Sequence, residues 1–408
     1  MRRVECQWMC VGLIFASASA CAEFNVESGF ESTRFLQSAA YDQGQQDNSL
    51  RLQADISKGW NSDKDLLSFT PFYRYDAQDD QRTHGDIREL SYIHAANRWE
   101  ARVGVHKVFW GVTEGLHLVD VINQTDLVED VDGKQKLGQP MINLSTVQSW
   151  GTLDAYYLIG FRERTFPGKD GRPRYPLVIE GDDALYQDRA KDRHKDFAFR
   201  YQKQIEALNF AVSYFKGTNR DPDFLPALRQ GQVFLIPYYQ QMHQWGMENQ
   251  FIAGDWAWKL EALARFENDQ SYRAYDAGFE YTQVGAFNSG WDLGWIIEFL
   301  HDSRGTLSPS YFEHDFLFAT RFSFNDAASS DALLSVFVDQ HTQETFVNFE
   351  ASHRLSESMK LKANLRLFSN TKRPQSVADV LARGLEQEYK FSSVSQDDYL
   401  RLELIYYW

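Results

Sequence analysis

Apolar and polar residues alternate with a period of two along most of this chain. In residues 50–56, Leu-Arg-Leu-Gln-Ala-Asp-Ile, one face is apolar and the other is polar. The same alternation occupies residues 256–266, 291–299, 316–324 and 359–367. Strict alternation is typical of a β-strand whose two faces meet different surroundings. The pattern therefore predicts an all-β chain composed of many strands, each about ten residues long.

The connectors between these strands fall into two classes that alternate along the chain. Short connectors follow residues 60, 94, 150, 204, 251, 286, 324 and 354. Longer polar connectors lie at 36–48, 77–85, 108–140, 163–194, 217–236, 302–311 and 369–397, and two further members of this class, near 267–271 and 339–344, are short. Transmembrane β-barrels have short periplasmic turns and longer extracellular loops. The order predicts a transmembrane antiparallel β-barrel of about 18 strands (16–18), with both chain ends on the periplasmic side.

The composition is consistent with a membrane barrel. Aromatic residues make up 15% of the chain, yet its mean hydropathy is −0.49. Lipid-facing aromatic residues that alternate with polar lumen residues reconcile these two values. No stretch approaches 18 consecutive apolar residues, and only helices and closed barrels satisfy the backbone inside lipid. The net charge of −15 provides no electrostatic basis for binding nucleic acid.

The first 22 residues have the features of a secretory signal peptide. Two arginines follow the initiator methionine, residues 8–15 form a short apolar core, and Ala20-Cys21-Ala22 is a small-residue cleavage site. We predict cleavage after Ala22, which leaves residues 23–408 as a single outer-membrane β-barrel. An uncleaved anchor is the alternative, but the apolar run is too short to span a bilayer.

All three cysteines, Cys6, Cys10 and Cys21, lie in this predicted signal peptide. The predicted mature chain therefore has no disulfide, no Cys-ligated zinc site and no thiol nucleophile. A lipoprotein modified at Cys21 is a further alternative, although Ala18 stands where a larger aliphatic residue is usual. We expect neither a metal nor a cofactor.

Aromatic residues also mark the strand ends. Six tryptophans fall beside short turns or at the C-terminus: Trp60, Trp99, Trp150, Trp256, Trp291 and Trp408. An aromatic girdle at the periplasmic membrane interface would place them in this way. The final strand carries Leu404, Tyr406 and Trp408 on one face, which resembles the terminal strand that the outer-membrane assembly machinery recognises. The expected partners are therefore that machinery and, around the folded barrel, outer-membrane lipid and lipopolysaccharide.

The polar faces of the strands are predicted to line a lumen. The charged residues on these faces are Arg51, Asp55, Arg74, Glu89, Glu100, Arg102, Arg200, Lys259, Glu261, Arg265, Glu280, Asp292, Glu298, Arg321, Glu350, Lys362, Arg366, Arg401 and Glu403. Their signs nearly balance, which predicts a wet wall with weak ion selectivity. Charge pairing that merely fills the interior is the alternative. A ring of about 18 strands is too wide for side chains alone to close it, so an inserted loop must form the constriction.

Residues 98–147 suggest which loop this is. Arg102-Val103-Gly104 ends a strand, and a long connector then follows, with Trp110-Gly111, Glu114-Gly115, Asp120, Asn123 and Asp126. This segment is similar to one in porin-like outer-membrane proteins related to the alginate-export porin, although Val105 and His106 stand where that group has Arg and Gln. In that group the loop folds toward the channel.

This resemblance implies a porin-like channel for small hydrophilic solutes. Connector 108–140 is the longest of the predicted connectors, so we expect it to be the constriction loop, with Trp110, Glu114 and Asp120 as its candidate residues. A turn with a packed indole is the alternative interpretation of Trp110-Gly111.

The sequence gives little support to an enzyme. It contains no phosphate-binding loop, metalloprotease motif or serine-hydrolase motif. Five histidines near predicted extracellular strand ends have a nearby aspartate: His84, His194, His301, His314 and His341. The corresponding aspartates are Asp86, Asp196, Asp302, Asp315 and Asp339. Such pairs are usually solvated, so a channel is the expected function, while a surface receptor or adhesion barrel and an outer-membrane hydrolase are the alternatives.

Overall fold

A computed structural model describes residues 22–268 and 270–408 of the chain. The predicted signal peptide lies outside these residues apart from Ala22, so the cleavage site stays a prediction. The first strands are β1 (Glu23–Phe35), β2 (Gln46–Trp60), β3 (Asp65–Asp76), β4 (His84–Ala95), β5 (Trp99–His106), β6 (Gln139–Gln148), β7 (Gly151–Ile159), β8 (Leu185–Tyr186), β9 (Lys195–Ile205), β10 (Leu208–Thr218) and β11 (Asp223–Arg229). The remaining strands are β12 (Gln232–Tyr239), β13 (Gln241–Ala253), β14 (Trp256–Glu267), β15 (Gln270–Ala286), β16 (Trp291–Asp302), β17 (His314–Ser323), β18 (Asp331–Asp339), β19 (Thr345–Ser356), β20 (Met359–Ser369) and β21 (Tyr399–Tyr407).

Eighteen of these strands form one antiparallel sheet that closes on itself. Each barrel strand pairs with the next one along the chain, and β21 returns to pair with β1, with Leu404 opposite Phe30. A closed sheet has no free edge and satisfies its backbone groups internally. The predicted β-barrel of 18 strands is therefore confirmed.

The other elements lie in the loops. Strands β8, β11 and β12 form a small separate sheet, and helix α1 spans Val377–Arg383. A capping box begins this helix, because Ser376 and Asp379 exchange side-chain and backbone hydrogen bonds. None of the helices in the described residues is long and apolar enough to cross a membrane.

Short and long connectors alternate around the barrel as the sequence predicts. The short turns are 61–64, 96–98, 149–150, 206–207, 254–255, 287–290, 324–330 and 357–358, and they share one end of the barrel with both ends of the described chain. The long loops at the other end include 36–45, 77–83, 107–138, 160–194, 219–240, 303–313 and 370–398. Connector 107–138 was expected to be the longest, but 160–194 is slightly longer.

The outer surface of the barrel is apolar and aromatic. The six girdle tryptophans all lie at the short-turn end; five of them expose 39–46% of their surface, and Trp408 exposes 76%. Leu50 and Leu52 are also exposed, whereas Arg51 between them points into the barrel and contacts Glu403. This outward apolar belt with an aromatic rim is what a bilayer requires of a barrel.

The inner wall departs from the predicted polar surface. Apolar side chains cluster inside the barrel on β6 to β13, where Met141, Tyr156, Leu158, Phe215 and Met242 are buried. A second cluster covers the inner face of β16 to β18 and comprises Ile296, Leu300, Leu317, Ala319, Leu333 and Phe337. In these parts of the barrel both faces of the strands carry apolar side chains, because the outer face is exposed and the inner face is covered by loop residues such as Val119 and Leu116.

Candidate functional site

The connector between β5 and β6, residues 107–138, lies inside the barrel and is named the inner loop. It leaves β5 and reaches β17, which lies nine strands away around the ring in either direction. There, the Glu114 carboxylate forms an ion pair with Arg321 of β17. The inner loop thus crosses the full width of the barrel.

Three carboxylates on the wall hold the far part of this loop by its backbone. Glu261 of β14 accepts hydrogen bonds from the Val112 and Thr113 amides at 2.7 and 3.1 Å. Glu298 of β16 accepts from the Glu114 and Gly115 amides, at 2.9 and 2.7 Å. Asp276 of β15 accepts from the Leu116 amide at 3.1 Å. Hydrogen bonds to charged groups contribute about 1.5–3 kcal/mol each, so this row fixes residues 112–116 against the wall.

Ion pairs hold the second half of the inner loop to the remaining wall. Glu129 pairs with Arg74 of β3 at 2.8 Å, and Lys134 pairs with Glu350 of β19 at 3.4 Å. Asp130 lies between Arg366 of β20 (2.6 Å) and Arg401 of β21 (3.0 Å). The loop is therefore tied to strands on several sides of the barrel.

Apolar packing anchors the inner loop at Trp110 and again at residues 119–122. The Trp110 ring meets Tyr156 of β7 edge to face at 5.7 Å, and Val119, Val121 and Ile122 share the same buried cluster. Asn123 fixes the return of the chain, because its amide donates to the carbonyls of His106 and Leu137 at 3.0 and 2.8 Å. Together these contacts make the loop part of the barrel core.

The three candidate constriction residues have different environments. Trp110 is only 2% exposed and packs against the wall, as its alternative interpretation proposed. Glu114 reaches Arg321 on the opposite wall. Asp120 accepts a long hydrogen bond from the Trp110 amide (3.4 Å) and lies 3.6 Å from the Lys136 ammonium. Of the three, Glu114 and Asp120 border the interior cavity described below.

Most of the predicted lumen residues are brought together as ion pairs on the inner wall. Arg51 contacts Glu403, Arg102 contacts Glu89 and Lys259 contacts Glu280, each at 2.5–2.9 Å. The others with partners are Arg74, Arg200, Arg265, Arg321, Glu350, Lys362, Arg366 and Arg401. Glu261 and Glu298 bind the inner loop instead. The pairing that the sequence offered as an alternative thus accounts for many of these residues.

Three predicted lumen residues lie nearer the short-turn end. Asp55 accepts a hydrogen bond from Thr70 at 2.9 Å, and Asp292 accepts one from Asn325 at 2.8 Å. Glu100 is half-buried on β5. These three residues are not among those described above that hold the inner loop.

Sequence reasoning missed several charged residues that organise the interior. Asp276 binds the inner loop, Glu248 pairs with Arg200 at 2.8 Å, and Glu31 lies within 3.6 Å of three arginines: Arg74, Arg82 and Arg401. Each lies on a strand, and the inward side of that strand could have identified it. The sequence did not indicate the partners that these carboxylates bind in the folded barrel.

A cavity of about 510 Å³ lies between the inner loop and the loops at the long-loop end. Aromatic residues from those loops form part of its lining: Phe166, Tyr175, Tyr311, Phe312 and Phe391. Tyr311 stacks on Phe391 with ring centroids 5.4 Å apart, and burial raises the pKa of Tyr311 well above its usual range. The cavity is thus a vestibule with an aromatic roof.

Basic side chains outnumber acidic ones in this vestibule. The basic residues in its lining are Lys134, Lys136, Arg164, Arg174, Arg220, Arg265, Arg304 and Arg366. The acidic residues are Glu114, Asp120, Asp132, Asp221 and Asp302. The lining therefore has a formal excess of basic residues, although seven of these eight residues form ion pairs with carboxylates.

Of the five predicted His–Asp pairs, one brings its two side chains into contact in the described residues, and His84 lies near Asp126 and Glu129 rather than Asp86. His194 lies 2.7 Å from Asp196, which also accepts from Arg220 at 2.8 Å and from the Thr218 amide. This hydrogen bond to Asp196 raises the pKa of His194. The side chains of His301 and His314 contact each other through their Nδ1 atoms at 3.3 Å. A catalytic histidine would instead lie between an acid and a nucleophile.

No protein-family model and no curated protein matches this chain. Solved structures of barrels do match it. The BenF-like porin from Pseudomonas fluorescens Pf-5 aligns with 95% of this chain and 98% of its own, at 12% identity and a TM-score of 0.53. OpdQ from Pseudomonas aeruginosa aligns with 95% of this chain and 96% of its own, at 12% identity and a TM-score of 0.48. At such identities the likeness concerns the fold alone, and the match to the BenF-like porin, with its TM-score of 0.53, shows that this chain has the β-barrel fold of that porin.

Proposed function

We propose that this chain is an outer-membrane channel that carries small hydrophilic solutes past the inner loop. The observation behind this proposal is the inner loop itself, which crosses an 18-strand barrel and is anchored to its wall at both ends. A ring of this size leaves an aqueous passage, and an inserted loop reduces its width. The long-loop end then faces the outside of the cell and the short turns face the periplasm.

The lining of the vestibule supports a preference for anions. An excess of fixed positive charge in a narrow passage attracts anions and repels cations. We expect this preference to be modest, because seven of the eight basic residues in the lining form ion pairs with carboxylates. Aromatic rings beside the basic groups add apolar contact area for a solute that carries both a negative charge and an apolar part.

Single-channel recording of the purified full chain in planar lipid bilayers tests the proposal. We expect the wild-type protein to conduct and its reversal potential in a KCl gradient to favour chloride. A variant with Glu261→Ala and Glu298→Ala loses the wall acceptors for residues 112–115, so its conductance should rise. Deletion of 112–135 should raise it further.

Glu89→Ala is the matched control, because it removes an interior wall carboxylate that pairs with Arg102 rather than with the loop. Its conductance should stay near the wild-type value. Heat-modifiable gel mobility establishes that each variant is folded. A folded deletion variant with unchanged conductance would remove the inner loop from the pore, whereas a folded wild-type protein that never conducts would favour a receptor or a hydrolase.

We also propose that this chain is related to the alginate-export-porin group. It is supported by the inward position of the loop that carries Trp110-Gly111 and Glu114-Gly115. The assembly machinery, outer-membrane lipid and lipopolysaccharide are likewise proposed partners. They follow from the exposed apolar belt and from a terminal strand that closes the barrel.

A further inference from the structure

Three buried carboxylates meet at the long-loop end of the barrel. Glu313 is the last residue before β17, Asp315 is the second residue of β17, and Asp339 is the last residue of β18. Asp315 and Asp339 are direct partners across the β17–β18 pair. The three residues expose only 5%, 1% and 5% of their surface. One carboxylate oxygen from each lies within 4.8 Å of the others.

The nearby basic groups are engaged elsewhere. Arg304 pairs with Asp302 at 2.6 Å, and the Lys390 ammonium donates to the carbonyls of Thr306 and Ser308 at 2.8 and 2.7 Å. Within residues 22–268 and 270–408, none of the three carboxylates forms an ion pair. Burial of several carboxylates without a direct ion pair carries a large desolvation cost.

The hydrogen bonds of the cluster are incomplete. Asp339 accepts backbone bonds from His341 and Thr342 through Oδ1 at 2.7 and 2.5 Å, and Asp315 accepts one from the His314 amide at 3.1 Å. The Oε2 atom of Glu313 is buried and has no hydrogen-bond partner. A buried oxygen of this kind, beside two other carboxylates, requires a positively charged ligand or a proton.

The spacing suits a hard divalent cation. Calcium binds oxygen ligands at about 2.4 Å, so two oxygens bound to one ion lie at most about 4.8 Å apart. That is the limit within which the three carboxylate oxygens lie. Carboxylates, which are hard ligands, favour calcium over the softer metals that select imidazole or thiolate.

We propose that Glu313, Asp315 and Asp339 bind one calcium ion, which ties loop 303–313 to the ends of β17 and β18. This loop carries Tyr311 and Phe312 into the vestibule lining. The ion thereby holds part of the vestibule wall in place. Sites on extracellular proteins bind calcium with dissociation constants of about 10⁻⁴–10⁻³ M, which is the range expected here.

Equilibrium dialysis of the folded full chain against radioactive calcium tests this proposal without reference to conductance. We expect one saturable ion per chain, and its loss in the double variant Glu313→Gln, Asp315→Asn. Asp182→Asn with Asp192→Asn is the matched control, because these carboxylates are exposed on loop 160–194. The control variant should retain the saturable site.

Trypsin cleavage after Arg304 provides a second measurement. Chelation of calcium should accelerate this cleavage in the wild-type protein and leave the rate in the double variant unchanged. Absence of saturable binding by wild type up to about 10 mM calcium, well above the expected range, would overturn the proposal. Retention of the site in the double variant, or equal affinity for magnesium, would overturn the assignment to these residues or to calcium.

Discussion

The two ends of the barrel differ in how their connectors are stabilised. At the short-turn end, two to seven residues join each pair of strands, and the tryptophans there remain exposed. At the long-loop end, the connectors bury charged side chains in shared networks, such as Asp130 with Arg366 and Arg401. Local backbone geometry is sufficient for the first end, whereas the second depends on contacts between residues more than 200 positions apart. Substitutions at the two ends should therefore have different consequences.

The largest effect is expected at the short-turn end, where the barrel closes. Replacement of Tyr406 and Trp408 by serine removes two aromatic residues at the end of β21 and the contact between their rings, whose centroids are 4.9 Å apart. Folded protein in the membrane should fall sharply, because a β21 that fails to pair leaves two open edges in lipid. Heat-modifiable gel mobility and protease resistance measure this. Wild-type levels of folded double variant would contradict the role of the terminal strand in assembly.

Two basic residues on β20 should contribute very differently to stability. Arg366 of β20 is 1% exposed in its side chain and holds Asp130 and Asp132, whereas Lys362 of the same strand is 47% exposed and lies 3.7 Å from Glu403. Arg366→Met should lower the free energy of unfolding by about 3–5 kcal/mol, because it leaves buried carboxylates unpaired. Lys362→Met should cost at most about 1 kcal/mol. Urea unfolding in lipid vesicles compares them, and equal losses would show that the inner-loop network is unimportant to stability.

Neighbouring positions on β2 test the division between the two faces. Leu52 is half exposed on the outer surface, and Gln53 points into the barrel beside Asp55. Leu52→Arg near the middle of the membrane should destabilise the barrel by roughly 2–4 kcal/mol. Gln53→Arg should be tolerated far better, since it meets water and a carboxylate. Similar losses in both variants, measured by the same unfolding assay, would mean that the proposed orientation toward lipid is wrong.

The smallest effect concerns the pH dependence of a long loop. The hydrogen bond to Asp196 raises the pKa of His194, so protonated His194 stabilises the end of loop 160–194. This contribution is fully present below the unfolded pKa of about 6.5 and is lost as pH rises through the higher folded value. Trypsin cleavage of the loop should therefore accelerate with pH more in wild type than in His194→Gln, at matched protease activity. Parallel pH profiles would contradict the prediction.

Much of the barrel could be predicted because its strands and turns follow from the order of residues within short segments of the chain. Period-two alternation located the strands, the order of short and long connectors indicated 18 of them, and the chain positions of Trp60 and Trp99 marked one end. The inward direction of wall charges such as Arg51 follows from the same periodicity. The inserted loop at 107–138 could also be predicted from the sequence, because side chains alone cannot close a ring of about 18 strands.

The roles of individual interior residues depended on tertiary structure. In sequence, Glu261 is one more polar residue on an alternating strand, yet in the fold it binds the Val112 and Thr113 amides about 150 positions away. Trp110 resembled a pore residue and proved to be a packed anchor. The inner apolar patch around Leu317 broke the expected polar lining because other chain segments cover it. Alternation reports only that a strand has two faces, while the partner of each face is decided by the path of the loops.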